Sequence, residues 1–178
     1  VNENQYYDDP NRRYLTYQNE VYTEASAQIE EQNLALKSAI FVAMLLNRTL
    51  ILPDFRCCYC TMQKCDHPRH RCSLLSVLRL KTFDKQLHNE YREHSFLRNP
   101  QVPSVIIESV SPYINSTATQ LTVAEVQAHF LPYKDYAVIN SSAISVSVDK
   151  NDQQWQKIEN AFECSDYEQW DPKLNAQL

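Results

Sequence analysis

Two rhythms of apolar residues run along this chain. Arg13–Gln18 (RYLTYQ) alternates and predicts a strand. Thr23 and Ser26 are candidate caps for a helix that runs to about Leu46. Leu36, Ile40 and Ala43 recur there at helical spacing, and Phe41, Val42, Leu45 and Leu46 make its second half apolar nearly all round. Such a helix is buried on most sides. Thr49–Leu52 follows at once, short and apolar, as a central strand of a parallel sheet reads. Farther on, the pattern predicts a helical segment around 73–90 and a strand at Val105–Val110 (VIIESV). Thr122 and Glu125 form a capping box that opens a short helix to about Phe130. A strand is expected at Tyr136–Ile139, and a helix at Asp152–Phe162 with Trp155, Ile158 and Phe162 on one face.

The expected order is β-α-β, a cysteine-rich excursion at 56–72, then β-α-β-α. Alternation of this kind implies one Rossmann-like α/β domain over 13–178, layered about a mainly parallel sheet. Residues 1–12 are polar and read as a frayed N-terminus.

Composition changes this picture in one respect. The 178 residues include no glycine, where average usage would give about 12. Either Asn and Asp occupy the positions that need φ > 0, or residues are missing from this sequence and its spacings run short. The net charge of -5 and the absence of a basic run argue against a nucleic-acid binder and against a polybasic membrane patch. No stretch reaches the ~18 apolar residues of a membrane span, and Val1–Asn4 lacks the features of a signal peptide.

Six cysteines occur, and five of them, Cys57, Cys58, Cys60, Cys65 and Cys72, lie close together; the sixth is Cys164. An even, clustered count fits disulfides in an oxidising compartment, with Cys164 bridging to the cluster or to another domain. The competing reading is a zinc-stabilised interaction module built on Cys57-x-x-Cys60 with Cys65, His67, His70 and Cys72. The spacing after Cys65 departs from zinc-finger templates. Sequons at Asn47, Asn115 and Asn140 fit secretion; Asn115 and Asn140 are the expected glycosylation sites, and Asn47, at a helix–strand junction, is expected to be buried. The chain has no Gly-rich phosphate loop, HExxH or GxSxG motif.

YLTYQ, a loop, and a helix ending in LLNRTLILPDF together resemble the opening of the GDP-fucose protein O-fucosyltransferase-like glycosyltransferases. Phe83-Asp84, Tyr91–Leu97 (YREHSFL) and Trp170–Leu174 (WDPKL) add to the resemblance, which is best over 13–55. It implies the N-terminal half of a GT-B enzyme, with a missing C-terminal domain that holds most of the nucleotide sugar. It further implies a GDP-fucose-like donor, a protein or glycan hydroxyl as acceptor, and no metal or other cofactor for catalysis. The place of action would be the lumen of the endoplasmic reticulum or Golgi, or outside the cell. The chain departs from the family in two ways. A His-x-Arg donor motif is lacking where the family places it, His67-Pro68-Arg69 matching by accident, and the family's Gly-Asn-Gln loop falls on Glu30-Glu31-Gln32.

Inverting glycosyl transfer needs an aimed hydroxyl, a base and cations for the leaving diphosphate. Candidate acceptor-side residues are Glu24, Gln32, Asn33 and Asp54, the last directly after a strand end, where α/β sheets gather ligands. Glu24 equally reads as a helix-start carboxylate, and Gln32 and Asn33 as a solvated helix turn. Arg92 and His94 are further candidates, Arg92 for an anion and His94 as a group titrating near neutrality; the plainer reading of Arg92-Glu93-His94 is a surface ion pair. A non-catalytic secreted binding domain of the same fold is the alternative function, because the acidic helix start would repel a diphosphate.

Overall fold

The computed structural model describes residues 6–7, 9–18, 29–53, 55–56, 60–61, 64–65, 71–72, 80–115 and 120–162, with backbone alone for the short ladders between 55 and 72. Four parallel strands form the sheet: β1 (Tyr14–Gln18), β2 (Thr49–Ile51), β7 (Tyr91–Arg92) and β8 (Val138–Ser142), in the order β7-β2-β1-β8. Two small antiparallel ladders intervene, β3 (Phe55–Arg56) with β6 (Arg71–Cys72) and β4 (Cys60–Thr61) with β5 (Lys64–Cys65). The helices are α1 (Ile29–Leu45), α2 (Leu80–Leu87), α3 (Ser104–Ile107), α4 (Val123–Phe130) and α5 (Gln153–Phe162). The α/β class and the parallel sheet agree with the sequence pattern.

Alternation along β1 sends side chains to two cores. Leu15 and Tyr17, with Leu50 and Ile139 of the neighbouring strands, meet the helical layer of Phe41, Phe83, Phe130 and Ile158. Tyr14, Ile51 and Val138 face the other way, onto Phe96, Val102 and Ile106. A strand buried on both faces has few polar positions, which is why β2 reads as an unbroken apolar run. The second half of α1 is buried as expected, from Ala39 through Ala43 without a break. Helix α5 packs against α1 and α2. The Trp155 ring stands edge-on to Phe41 at 5.6 Å, Phe162 stands edge-on to Phe83 at 5.5 Å, and Lys37 of α1 bonds Glu159 at 2.7 Å.

Both expected helix starts that can be inspected are capped as the sequence indicates. The Thr122 hydroxyl accepts from the Glu125 N–H at 3.3 Å while the Glu125 carboxylate accepts from the Thr122 N–H at 2.8 Å. The Asp152 carboxylate accepts from the N–H groups of Gln154 and Trp155. Thr23 and Ser26, the candidate caps of α1, lie outside the described residues, as do 73–79 of the segment expected to be helical over 73–90.

Three expectations are corrected. Val105–Val110 is no strand. Pro103 presets the extended entry to a helical turn, the Ile106 and Ile107 N–H groups bond the Pro103 carbonyl, and only Ile106 of the turn is buried. Strand-like pairing begins later, where Val110 and Ile114 bridge to Val138 and Ser141 of β8. The strand expected at Tyr136–Ile139 runs instead over Val138–Ser142; ahead of it the Tyr136 carbonyl accepts from an arginine, and the Ala137 carbonyl accepts from that arginine and from the Tyr14 N–H. Asn47 is exposed, not buried.

That last correction exposes how the helix–strand junction works. Asn47 has φ 51, the sole positive φ among the described residues. It supplies the left-handed residue that ends a helix, which glycine usually supplies and which Asn tolerates best among the rest. Chain reversal there lets the Arg48 N–H bond the Ala43 carbonyl at 2.8 Å and turns the Arg48 side chain inward. Arg48 is 7% exposed. Its Nη1 donates to the carbonyls of Tyr14 (3.1 Å), Tyr136 (3.0 Å) and Ala137 (3.4 Å), and its Nη2 to that of Lys134 (2.8 Å). One side chain thus ties the start of β1 to the lead-in of β8. Arg48 is a functional position of the fold that the apolar pattern alone did not mark. The signal was present: a charged residue between two buried elements must be paired.

Asn47→Gly is expected to hold or raise the unfolding midpoint, whereas Asn47→Val is expected to destabilise by about 1–2 kcal/mol. Arg48→Met is expected to cost about 3 kcal/mol or more, since it strips buried carbonyls of their donor. Arg48→Lys recovers little, because a single ammonium cannot span the set. Urea unfolding of these variants checks both; an Arg48→Met protein as stable as the parent would refute the clamp.

Candidate functional site

The chain grows its sheet from β1 outward through β2 and β7, then crosses to place β8 on the other side of β1. Counting only these four strands, the order is 3-2-1-4. The order reverses between β1 and β8, and open α/β sheets bind ligands at the carboxyl ends of the strands flanking such a reversal. Gln18 and Ser142 are opposite one another at that end.

Helix α1 delivers its amino end to the same edge. It starts after β1 and ends beside the amino end of β2, with Thr49 opposite Tyr14. Its 17 residues span about 25 Å against about 17 Å for β1, so its first turns reach beyond the strand ends. Gln32 and Asn33 lie there. Gln32 is 2% exposed, packed into the structure rather than solvated. Asn33 is half-buried, and its Oδ1 is buried without a hydrogen-bond donor among the described residues. Leu15, Tyr17, Phe130, Ser141 and Ser142 line a small open pocket of about 10 Å³, room for one water at most. The Ser141 hydroxyl donates to the Ile114 carbonyl at 3.3 Å.

The other expected site residues are dispersed. Glu24 and Asp54 lie outside the described residues, as do Cys57, Cys58 and Cys164. Cys60 and Cys65 are opposite one another in the β4–β5 ladder, and Cys72 is opposite Phe55. Among the described residues no group of three or more His, Cys, Asp or Glu is placed to hold a metal ion, and no helix is long and apolar enough to cross a membrane. Asn115 is exposed, just after the bridge at Ile114. Asn140 is half-buried inside β8, its N–H bonded to the Ser111 hydroxyl, and Ser142 of its sequon is buried. Asn115 therefore has the accessibility of a glycan acceptor that Asn140 lacks.

Arg92 ends β7, a two-residue strand that the sequence pattern did not reveal, and it is 3% exposed. Its Nε donates to the Tyr6 carbonyl at 3.3 Å, Nη1 to the Tyr91 carbonyl at 2.7 Å, and the guanidinium lies 4.2 Å from the Tyr6 ring centre. Tyr6 and Tyr7 both donate from their hydroxyls to the Glu93 carboxylate, and Tyr7 stacks on Phe96 at 5.7 Å. The triplet is thus not a surface ion pair: Arg92 and Glu93 pin the tyrosines near the N-terminus over the second face of the sheet, while His94 is exposed. Burial, chiefly, holds the Arg92 guanidinium below its usual range. Burial, then Glu93, raises the Tyr6 hydroxyl. Tyr14, fully buried beside Phe96, is raised by burial too, and its hydroxyl has no hydrogen-bond partner among the described residues.

The residues that support the family resemblance farther along the chain meet each other. The Phe83 and Tyr91 rings lie 5.0 Å apart, and the Tyr91 hydroxyl donates to Asp84, which also contacts His88 at 3.0 Å. The His88 contact, ahead of Tyr91, holds the Asp84 carboxyl below its usual range. A cleft of about 540 Å³ opens at the opposite, amino edge of the sheet. Open α/β sheets more commonly bind ligands at the carboxyl edge.

No family model, curated protein or solved structure matches this chain.

Burial, followed by the bond to Asp84, pushes the Tyr91 hydroxyl from 10.0 up to about 12. The folded state thus keeps a proton that the unfolded chain has lost between those values. Stability is fully present below pH ~10 and falls as pH rises toward ~12. Tyr91→Phe is expected to flatten that fall in alkaline unfolding curves; an unchanged slope would detach Tyr91 from it.

Proposed function

We propose that this chain is the acceptor-side α/β domain of an O-fucosyltransferase-like glycosyltransferase, presenting a protein or glycan hydroxyl to a nucleotide sugar. One observation supports it above the rest. The LLNRTLILP segment that resembles the family occupies the helix–turn–strand junction of a parallel 3-2-1-4 sheet, whose order reverses next to the strand that precedes that same helix. In the reaction the acceptor oxygen bonds to the anomeric carbon, the bond from that carbon to the diphosphate breaks, and a carboxylate takes the hydroxyl proton. Asp54, three residues beyond β2, and Glu24, between β1 and α1 in sequence, are the candidates for that base. Asn33, with an acceptor atom buried and unpaired, is the candidate for holding a sugar or acceptor hydroxyl. By resemblance, donor binding belongs mostly to a second domain, no metal or other cofactor takes part, and the enzyme works in the secretory lumen.

The burial of Gln32 favours a second reading, a non-catalytic binding domain. The one residue in common with the family's Gly-Asn-Gln loop is packed into the fold, and the sequence carries acidic Glu30 and Glu31 at the other two positions, a composition unfavourable to a diphosphate.

A transfer assay on the full-length gene product, with GDP-fucose and a panel of other nucleotide sugars, decides between them. Asp54→Asn is expected to lower kcat by about 100-fold or more with KM little changed, if Asp54 is the base. Absence of transfer and of nucleotide-sugar binding across the panel would overturn the enzyme reading and leave the binding domain.

A further inference from the structure

The amino edge of the sheet gathers positive charge in a chain whose net charge is -5. Arg12, Arg13 and Arg48 line its cleft together with a Lys157–Glu90 ion pair at 2.9 Å. That pair cancels itself and Arg12 lies 3.8 Å from the Asp9 carboxylate, so the guanidinium groups of Arg13 and Arg48 decide the field. Arg48 satisfies its N–H groups with carbonyls, but no carboxylate neutralises its charge among the described residues. Burial, and then the positive charge of Arg13, lowers its pKa from 12.5 to about 10. The exposed Arg13 side chain makes no hydrogen bond or ion pair among the described residues. Arg12 Nη1 is buried with no hydrogen-bond partner among the described residues, and its Nε forms a long ion pair with Asp9 at 3.8 Å. A second guanidinium beside an uncompensated buried charge is a costly arrangement unless an anion completes it.

We propose that this cleft binds a phosphate-type oxyanion carried by a small molecule, held by the forks of Arg12 and Arg13 above the buried Arg48. Planar guanidinium forks match the spacing of phosphate oxygens and bind them two at a time. A cleft of about 540 Å³ falls within the range of small-molecule sites. It admits more than a bare ion, so a phosphate ester fits better than inorganic phosphate. Asn11 and Asn89 on the walls offer neutral hydrogen-bonding groups for the remainder of such a molecule. The site lies at the opposite end of the strands from the edge proposed for glycosyl transfer and stands independently of that reading. Its occupant would relieve the repulsion between Arg13 and Arg48 and so tighten the junction of β1, β2 and β8.

The test is thermal unfolding of the full chain with inorganic phosphate, with a sugar phosphate, and with sodium chloride at matched ionic strength. A saturable rise in Tm with either phosphate, above that with chloride, is expected. Tighter binding of the sugar phosphate identifies an ester as the occupant, and equal binding identifies the free ion; both uphold an oxyanion site. Arg12→Gln/Arg13→Gln is expected to weaken the apparent affinity about tenfold or more, and Lys81→Gln, exposed on α2, to leave it unchanged. Should the double variant unfold, Arg13→Gln alone, at an exposed side chain, serves in its place. A rise that follows ionic strength alone, that persists in the arginine variants, or that Lys81→Gln abolishes equally would overturn the proposal. Because transfer activity is not read here, failure of either proposal leaves the other standing.

Discussion

A buried guanidinium governs how this domain is put together. Arg48 cannot shed its charge at physiological pH and cannot be buried unpaired, so its place in the core obliges other parts of the chain to bring it acceptors. They come from two directions: Tyr14 at the start of β1, and Lys134, Tyr136 and Ala137 ahead of β8. The two strands flanking the crossover are thereby fixed to the junction that joins α1 to β2. Asn47 makes this possible, because the left-handed turn there reverses the chain within three residues in a protein that has no glycine to do so. The segment LLNRTL is then more than a buried helix meeting a buried strand. Its Asn and Arg are the turn and the clamp.

A second buried arginine does for the other face of the sheet what Arg48 does for its amino edge. Arg92 holds the Tyr6 carbonyl and lies under the Tyr6 ring, while Glu93 takes both tyrosine hydroxyls. Cation–π contact and charge-assisted bonds there join residues more than eighty positions apart. This explains why a polar triplet, which resembles binding chemistry in sequence, turns out to be cross-linking. The same chemistry that recognises a ligand also anchors a chain, and sequence does not distinguish the two when the partner is distant.

The two ends of the sheet have different tasks available to them. At the carboxyl edge the strand order reverses near the first turns of α1, with an Asn33 oxygen that has no donor and little open volume among the described residues. At the amino edge a roomy cleft meets surplus positive charge. Of the candidate residues, Gln32 and Asn33 were legible as belonging to one edge, because they follow a strand and open a helix. Arg92 was misplaced, because its burial comes from Tyr6 and Phe96, which no local pattern connects to it. The amino-edge arginines were invisible for the same reason: Arg12, Arg13 and Arg48 converge only once β1 and β2 are paired.

Local pattern determined a good deal alone. Alternation marked β1, the apolar run marked β2, helical spacing marked α1 and α5, and the Thr122–Glu125 box and Asp152 marked where α4 and α5 begin. These features rest on neighbours within four residues, so they are written in the order of the chain. Tertiary structure decided the rest. It set the strand order and the side on which β8 joins. It turned Val105–Ile107 into a helical turn after Pro103, and it delayed β8 to Val138. It exposed Asn47 and buried Arg48 and Arg92. Each of these outcomes depends on where a buried donor finds its acceptor, and that distance is measured through space, not along the sequence.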